Sequence, residues 1–241
     1  MCTVTFIARE CGYLIGMNRD EKLSRPVALG PARYRINGRS ALAPSEPGGG
    51  LWIGANDGGA SFALINWYGV TARVQSQPIS RGEIVKSALP LDSSGAVTRA
   101  LTSAPLSRVN PFRLIGVIPA KKAVIEWRWN LQQLEQIEHA WQTNIWISSG
   151  FDESGAQQTR GKIFREDLKR ESAGNCSWLR SLHQSHMPEP GPYSVCMHRS
   201  DAATVSYTEI AILRDQVEMH YVPGSPCCTT PSPKSNLRLS R

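Results

Sequence analysis

The chain has 241 residues, 41% of them hydrophobic and 20% charged, with a formal net charge of +7 at pH 7. That length can bury a substantial core, and a layered sandwich of this size is often one domain. No run approaches the roughly 20 apolar residues of a membrane span, and the N-terminus lacks a signal peptide's pattern. The 6 cysteines are scattered without a visible disulfide framework, so we expect a cytoplasmic protein.

The positive charge does not indicate a nucleic-acid partner. Basic residues are dispersed among acidic neighbours, as in the run REDLKRE at 165–171. The tail after residue 222 is rich in Pro and Ser and holds basic but no acidic residues, which is typical of a disordered end. We therefore predict one domain over residues 1–222 and a disordered basic tail over 223–241.

The N-terminus reads as a hairpin that begins at Cys2. Residues 3–8 (TVTFIA) are β-branched and aromatic and predict a strand, and residues 13–17 (YLIGM) predict the returning strand. A hairpin of this length brings residues 18–21, Asn-Arg-Asp-Glu, back beside Cys2.

This neighbourhood suits nucleophilic chemistry. Removal of Met1 would leave Cys2 with a thiol nucleophile and a free α-amine, which titrates near pH ~8 and can act as a base. Because side chains alternate between faces, Asn18 and Asp20 share one face and Arg19 lies on the other. Arg19 would favour the thiolate, and Asp20 would orient the α-ammonium.

The remaining elements alternate between strands and helices. A loop rich in Pro and Gly at 44–50 precedes a strand at 51–55, and the turn Asn-Asp-Gly-Gly at 56–59 leads to a strand at 60–68, with Asn66 near its end. Helices are predicted over 80–89, 95–103, part of 154–170 and 178–185, and strands over 113–118, 123–128, 193–197, 204–214 and 216–221. This pattern indicates an α+β layered sandwich.

These segments resemble a known family, the NRDE proteins, whose eukaryotic member is the transport and Golgi organisation protein. The family motif stands here at residues 18–21. Further matching segments are MCTVTF, MNRDEKLSRP, APSEPGGGLWIG, ALINWY, SRGEIV, NPFRL, SSGFDE and SVCMHRSDAATVSYTE. The resemblance implies an N-terminal-nucleophile hydrolase-like fold, a four-layer αββα sandwich with the N-terminal residue in the central cleft.

A more distant similarity implies roles for individual residues. The choloylglycine hydrolases and penicillin V acylases also begin Met-Cys and cleave amides through that cysteine. Asp20 and Asn18 match an Asp and an Asn of their motif. Their Arg would fall at Met17, so Arg19 would have to replace it from two residues further along the same face. Asn66 matches the residue that supplies an oxyanion-hole donor.

The similarity also has departures. Those hydrolases have a second Asn where this chain has Ser-Ser-Gly at residues 148–150. A late Arg is also expected near 203–205, where there is none, although Arg199 lies close. The acylase machinery is therefore only partly present.

The resemblances leave alternatives open. One is a Cys-dependent amidohydrolase or acyltransferase acting on a small amide or acyl substrate, with Cys2, Arg19, Asp20 and Asn66 as catalytic residues. Another, implied by the family's eukaryotic members, is a non-catalytic carrier of a hydrophobic small molecule such as haem or an acyl lipid. Candidate ligand contacts are Asn18 and His198. A third is an interaction module without chemistry.

We predict no metal site and no cofactor. Five potential zinc ligands lie in one region of the chain: Cys176, His183, His186, Cys196 and His198. Their spacing matches no familiar zinc pattern. The sequence carries no indication of the oligomeric state.

Overall fold

The computed structural model describes residues 2–240, so Met1 lies outside the described residues. Six strands form the first antiparallel sheet: β1 (Cys2–Ala8), β2 (Tyr13–Lys22), β10 (Asn144–Ser148), β11 (Ala202–Ile212), β12 (Gln216–Val222) and β13 (Ser235–Arg238). Their order across the sheet is β10-β1-β2-β11-β12-β13. The N-terminal hairpin therefore lies inside this sheet, paired on both sides.

The second antiparallel sheet has seven strands that follow one another in chain order. They are β3 (Leu29–Ile36), β4 (Arg39–Ser45), β5 (Ile53–Asn56), β6 (Ser61–Asn66), β7 (Phe112–Ile118), β8 (Ala123–Trp129) and β9 (Leu134–His139). The hairpin predicted around the Asn-Asp-Gly-Gly turn is the β5–β6 pair.

Four helices cover the outer faces of the two sheets: α1 (Gly82–Ala88), α2 (Ser94–Ser103), α3 (Glu153–Asp167) and α4 (Cys176–Gln184). The helices α1 and α2 pack on the second sheet, where Val85 and Leu101 join a buried cluster with Phe62. The helices α3 and α4 pack on the first sheet, through a cluster that holds Phe164 and Leu179. The predicted four-layer αββα sandwich is confirmed. Within residues 2–240, every helix is too short or too polar to cross a bilayer.

The main core lies between the two sheets. Alternate residues of the N-terminal hairpin, Val4 and Phe6 on β1 and Ile15 and Met17 on β2, are fully buried there. Since side chains on a strand alternate faces, the intervening residues point to the helices. Both faces of the hairpin are covered in its middle, so the polar residues Thr3, Thr5, Asn18, Arg19 and Asp20 are buried.

One segment predicted as a strand is a loop beside the first sheet. Residues 193–197 were predicted to form a strand and instead form a buried irregular segment. Its backbone groups bond to side chains and loops: the Val195 carbonyl accepts from the Asn18 side chain, and the Met197 N–H donates to Thr204 Oγ1. These hydrogen bonds satisfy backbone groups that would otherwise pair with a neighbouring strand.

The tail was expected to be disordered, and that prediction is wrong for its last part. Residues 235–238 form β13, which pairs with β12 from Gln216 to Met219. Leu237 is buried, and Lys234 pairs with Glu218 at 3.0 Å. A single apolar residue among polar ones gave too weak a pattern to indicate a strand.

A buried carboxylate joins the two sheets at one end. Glu126 on β8 is fully buried and accepts hydrogen bonds from Arg113 at 2.6 Å, Arg128 at 2.8 Å and Trp146 of the first sheet at 3.2 Å. Burial raises the pKa of Glu126, but the bonds from the two arginines outweigh it and lower the pKa to about 2.

Leu237→Ala should lower the free energy of unfolding by about 2–4 kcal/mol, because it leaves a cavity between β13 and the core. Arg238→Ala is the matched control, since that side chain is exposed, and it should change little. Urea denaturation measures both variants. If the tail is disordered in solution, the two variants will unfold alike.

The lowered pKa of Glu126 predicts acid sensitivity. The ionised group stabilises the fold above its unfolded pKa, and that stability is lost as the pH falls from about 4.5 towards about 2. The loss should be roughly 3 kcal/mol in the native protein. Glu126→Gln should remove this dependence of stability on pH, whereas Glu138→Gln, on the exposed face of β9, should leave it unchanged. Denaturation at several pH values would contradict this if all three proteins lost stability equally.

Candidate active site

The strand register brings Cys2 and Arg19 together. Cys2 is the first residue of β1 and lies directly opposite Arg19 of β2 and Ser148 of β10. Directly opposed residues of an antiparallel pair project to the same face. Both side chains therefore point between the two sheets, where Cys2 is 8% exposed.

Arg19 is held by a carboxylate and an indole ring. Its Nη2 lies 2.6 Å from Glu46 Oε1 and 3.6 Å from a Glu21 oxygen, and its guanidinium lies 4.7 Å from the centre of the Trp52 ring. Met17, by contrast, is opposite Val4 in the core. The cation beside the thiol is therefore Arg19, as the sequence predicted.

Asp20 lies on the opposite face of β2, under α3. Its Oδ1 accepts from Thr204 Oγ1 at 2.7 Å, and its Oδ2 lies 3.3 Å from Arg160 Nη1. Both side chains of this ion pair are fully buried. Arg160 also donates to Thr3 Oγ1 at 2.7 Å and to the Pro192 carbonyl at 3.2 Å. These contacts fix Asp20, which follows Arg19, the residue opposite Cys2, along β2.

A cleft of about 540 Å³ opens over Cys2. Arg19, Asp20 and Asn66 also line it. Asn66 is the last residue of β6, and its Nδ2 donates to Tyr68 Oη at 2.9 Å. Since an amide nitrogen carries two N–H groups, this bond leaves a second donor. All four residues predicted as catalytic therefore contribute to the lining of this cleft, although the Asp20 side chain is directed to the opposite face of β2, towards Arg160.

The opposite rim of the cleft is the start of α1. A Cβ at Gly82 would lie 2.6 Å from Gly50 Cα, so glycine lets the helix approach the glycine-rich loop closely. Next to it, half-buried Arg81 lines the cleft and donates to the Pro111 carbonyl at 3.2 Å. Within residues 2–240, Arg81 forms no salt bridge with a carboxylate, so the cleft holds a cation without an anionic partner from that part of the chain.

Burial dominates the environment of the Cys2 thiol. Burial raises its pKa, as does the Asp20 carboxylate, while the Asp20 backbone N–H and Arg19 lower it. The net direction is upward. Arg19 thus does not produce a resting thiolate, and a base must take the proton during any attack.

Two predicted ligand contacts lie elsewhere. Asn18 is fully buried, and its Nδ2 donates at 2.9 Å to the carbonyls of both His183 and Val195. It points to the helical layer because it is adjacent to Arg19 on the strand. His198 does not line the cleft and contacts His186 at 3.1 Å. The structure thus places neither residue in the lining of the cleft over Cys2.

Sequence reasoning missed several residues of the site. Glu46 and Arg81 stand inside the segments APSEPGGGLWIG and SRGEIV that carried the family resemblance, so a signal existed for both. Arg160 had a signal too, because it occupies the middle of the buried stripe Ala156, Arg160, Phe164 of α3. A cation in an apolar stripe requires a buried partner.

Arg160→Met should lower the free energy of unfolding by about 3–5 kcal/mol, because it leaves the buried Asp20 carboxylate without its cation. Arg165→Met on the exposed face of α3 is the control and should change it by less than about 0.5 kcal/mol. Urea denaturation measures the difference. Adding Asp20→Asn to Arg160→Met should recover part of the loss, and no recovery would contradict the pairing.

Comparisons with known proteins agree with this architecture. The sequence model of the family Transport and Golgi organisation 2 matches residues 1–152. No curated protein matches the chain.

Solved structures are similar at low sequence identity. A cysteine-to-alanine variant of the conjugated bile acid hydrolase from Clostridium perfringens is 10% identical, with a TM-score of 0.54 over 95% of each chain. Penicillin V acylase from Agrobacterium tumefaciens is 10% identical, with a TM-score of 0.51 over 92% of this chain and 86% of its own. The chain belongs to the Transport and Golgi organisation 2 family and has the fold of the N-terminal-nucleophile hydrolases.

Proposed function

We propose that this protein is a cysteine amidohydrolase or acyltransferase that acts on a small amide after Met1 is removed. One observation carries the proposal: Cys2 lines a cleft together with Arg19, Asp20 and Asn66. Two hydrolases of amide bonds, the bile acid hydrolase and the penicillin acylase, have the same fold.

The chemistry needs only groups of the processed chain. The α-amine of Cys2 takes the Sγ proton as sulfur bonds to the substrate carbonyl carbon, and the C=O electron pair moves to oxygen. The intermediate collapses, the C–N bond breaks, and the leaving amine takes the proton from the α-ammonium. Water then attacks the thioester in the same way and releases the acid. With an amine in place of water, the reaction is acyl transfer.

The other residues have matching roles. Asp20 orients the ammonium, and Asn66 Nδ2 donates to the oxyanion. Burial raises the pKa of the Cys2 thiol, so a base must take its proton during attack, and the α-amine is the proposed base because it belongs to the same residue. Activity should therefore rise with pH as the ammonium deprotonates near ~8.

The cleft also supports a class of substrate. Arg81 is a cation without a carboxylate partner within residues 2–240, whereas Arg25, which lines the same cleft, is paired with Glu21 at 3.5 Å and Glu46 at 3.8 Å. We propose an amide that carries a carboxylate or another anionic group, which Arg81 binds. A hydrophobic carrier is less well supported, because charged residues line much of the cleft and His198 lies outside it. All six cysteines are free thiols, which supports a reducing compartment, and we propose the cytoplasm.

Cys2→Ala should abolish amide hydrolysis, whereas Cys11→Ala, in the exposed turn of the same hairpin, should retain it. The assay uses penicillin V, a conjugated bile acid and N-acyl amides with and without a carboxylate. Intact mass spectrometry checks that Met1 is absent and looks for an acyl adduct at residue 2. Activity in protein that keeps Met1, or equal rates in Cys2→Ala, would overturn the mechanism.

Asn66→Ala should lower kcat by about 100- to 1,000-fold with little change in KM, because an oxyanion donor acts mainly in the transition state. Tyr68→Phe is the matched control, since it removes only the hydroxyl that Asn66 contacts, and its rate should stay within about tenfold. Steady-state kinetics decide between them. A rise in KM alone would make Asn66 a binding residue.

A further inference from the structure

Four soft or borderline ligands meet outside the cleft. His186 follows α4, Cys196 and His198 lie in the loop before β11, and Cys227 lies in the tail after β12. Their ligating atoms all lie within 4.8 Å of one another. Of the five potential ligands noted in the sequence, Cys176 and His183 are not in this group: Cys176 contacts Arg9, and His183 Nε2 contacts Thr5.

The distances within the group fit one small ion. The two Nε2 atoms of His186 and His198 are 3.1 Å apart, and His198 Nε2 is 3.5 Å from the sulfurs of both Cys196 and Cys227. A tetrahedral zinc with Zn–N of ~2.05 Å and Zn–S of ~2.3 Å separates nitrogens by ~3.4 Å and nitrogen from sulfur by ~3.6 Å. These three separations lie within about 0.3 Å of that geometry. The remaining ligand pairs lie within 4.8 Å of one another, so some of them must close by up to about 1 Å when the ion binds.

We propose that His186, Cys196, His198 and Cys227 bind a zinc ion. Two thiolates and two imidazoles in tetrahedral reach are a typical donor set for structural zinc. All four positions are filled by the protein, so no position stays open for a substrate or water. The ion therefore has a structural role, separate from the chemistry proposed for Cys2.

The backbone holds the ligands in place without the ion. The Cys196 N–H donates to the Ser185 carbonyl at 2.9 Å, and the His198 N–H donates to Gly191 at 3.3 Å. The turn that carries Cys227 is fixed by Ser225, whose Oγ donates to the Thr204 carbonyl at 2.7 Å. Three segments are thus preorganised around one point.

The positions of these four residues in the chain explain why their spacing did not predict a zinc site. Only Cys196 and His198 are neighbours in the chain, and Cys227 stands in a tail whose composition indicated disorder. A zinc pattern requires short spacings between ligand pairs. Here the chain fold supplies the proximity, through the loop that packs on Asn18 and Thr204.

The test measures zinc in the full-length protein. Protein refilled with ZnCl2 under reducing conditions and then desalted should retain about one zinc per chain by mass spectrometry of the metal. Co²⁺ in its place should give the intense visible bands of a tetrahedral site and thiolate charge transfer. Removing zinc with a chelator should lower the Tm of the native protein.

Matched variants make the test specific. Cys227→Ser should lose at least about tenfold in retained zinc and show no chelator effect on Tm, whereas Cys228→Ser, the adjacent exposed cysteine, should behave like the native protein. If Cys227→Ser does not fold, His186→Gln provides the same comparison.

Three results would overturn the proposal. One is no retained metal in folded native protein, and another is equal loss of zinc in Cys227→Ser and Cys228→Ser. The third is a Cys196–Cys227 disulfide that forms even when zinc is present during purification. Because amide hydrolysis is not the readout, the outcome is independent of the function proposed for Cys2.

Discussion

The pairing of β1 with β2 positions every part of the candidate site. It sets Cys2 opposite Arg19 and leaves Asp20 on the reverse face. A shift of one residue would exchange the faces and send Arg19 into the helical layer. The apolar residues Val4 and Met17, which are paired in the core, oppose such a shift because it would expose them to a polar environment. Hydrophobic packing of the hairpin thus determines the geometry of the chemistry.

The two faces of β2 carry separate ion pairs. On the cleft side, Arg19 is paired with Glu46 at 2.6 Å; on the helical side, Asp20 is paired with Arg160 at 3.3 Å. Each charge is therefore compensated on its own face of the strand. Arg19 and Asp20 are neighbours of opposite charge, but they do not need to pair with each other. For the Cys2 thiol, burial outweighs Arg19, so the net direction of its pKa is upward.

Local patterns were sufficient to predict the α+β class and the hairpin, whereas the four-layer arrangement was implied by the family resemblance. Alternating apolar residues predicted β1, and the turn at 56–59 predicted the β5–β6 pair, because both depend on neighbours in the chain. The strands β4 and β10 were missed although they are largely buried. Two other missed strands carry weak apolar signals. β3 and β9 lie at the two edges of the second sheet, and much of their surface is exposed. Edge strands carry polar residues that prevent association, so periodicity underestimates them.

Contacts between distant segments could not be predicted in the same way. Asn18 was assigned to the site because it stands in the same motif as Arg19 and Asp20. Its neighbours across the sheet face are the carbonyls of His183 and Val195, which no local pattern specifies. The motif therefore combines a structural residue with site residues.

The irregular loop before β11 connects the proposed metal site to the candidate active site. The Thr204 hydroxyl accepts a hydrogen bond from the Met197 N–H at 2.8 Å and donates one to the Asp20 carboxylate at 2.7 Å. A single side chain therefore links the backbone between Cys196 and His198 to Asp20. A loop with few ladder bonds is ordinarily the first part of a fold to open. An ion held by Cys196 and His198 would restrict that opening and keep Thr204 aimed at Asp20. The metal would then stabilise the position of the carboxylate while taking no part in the reaction.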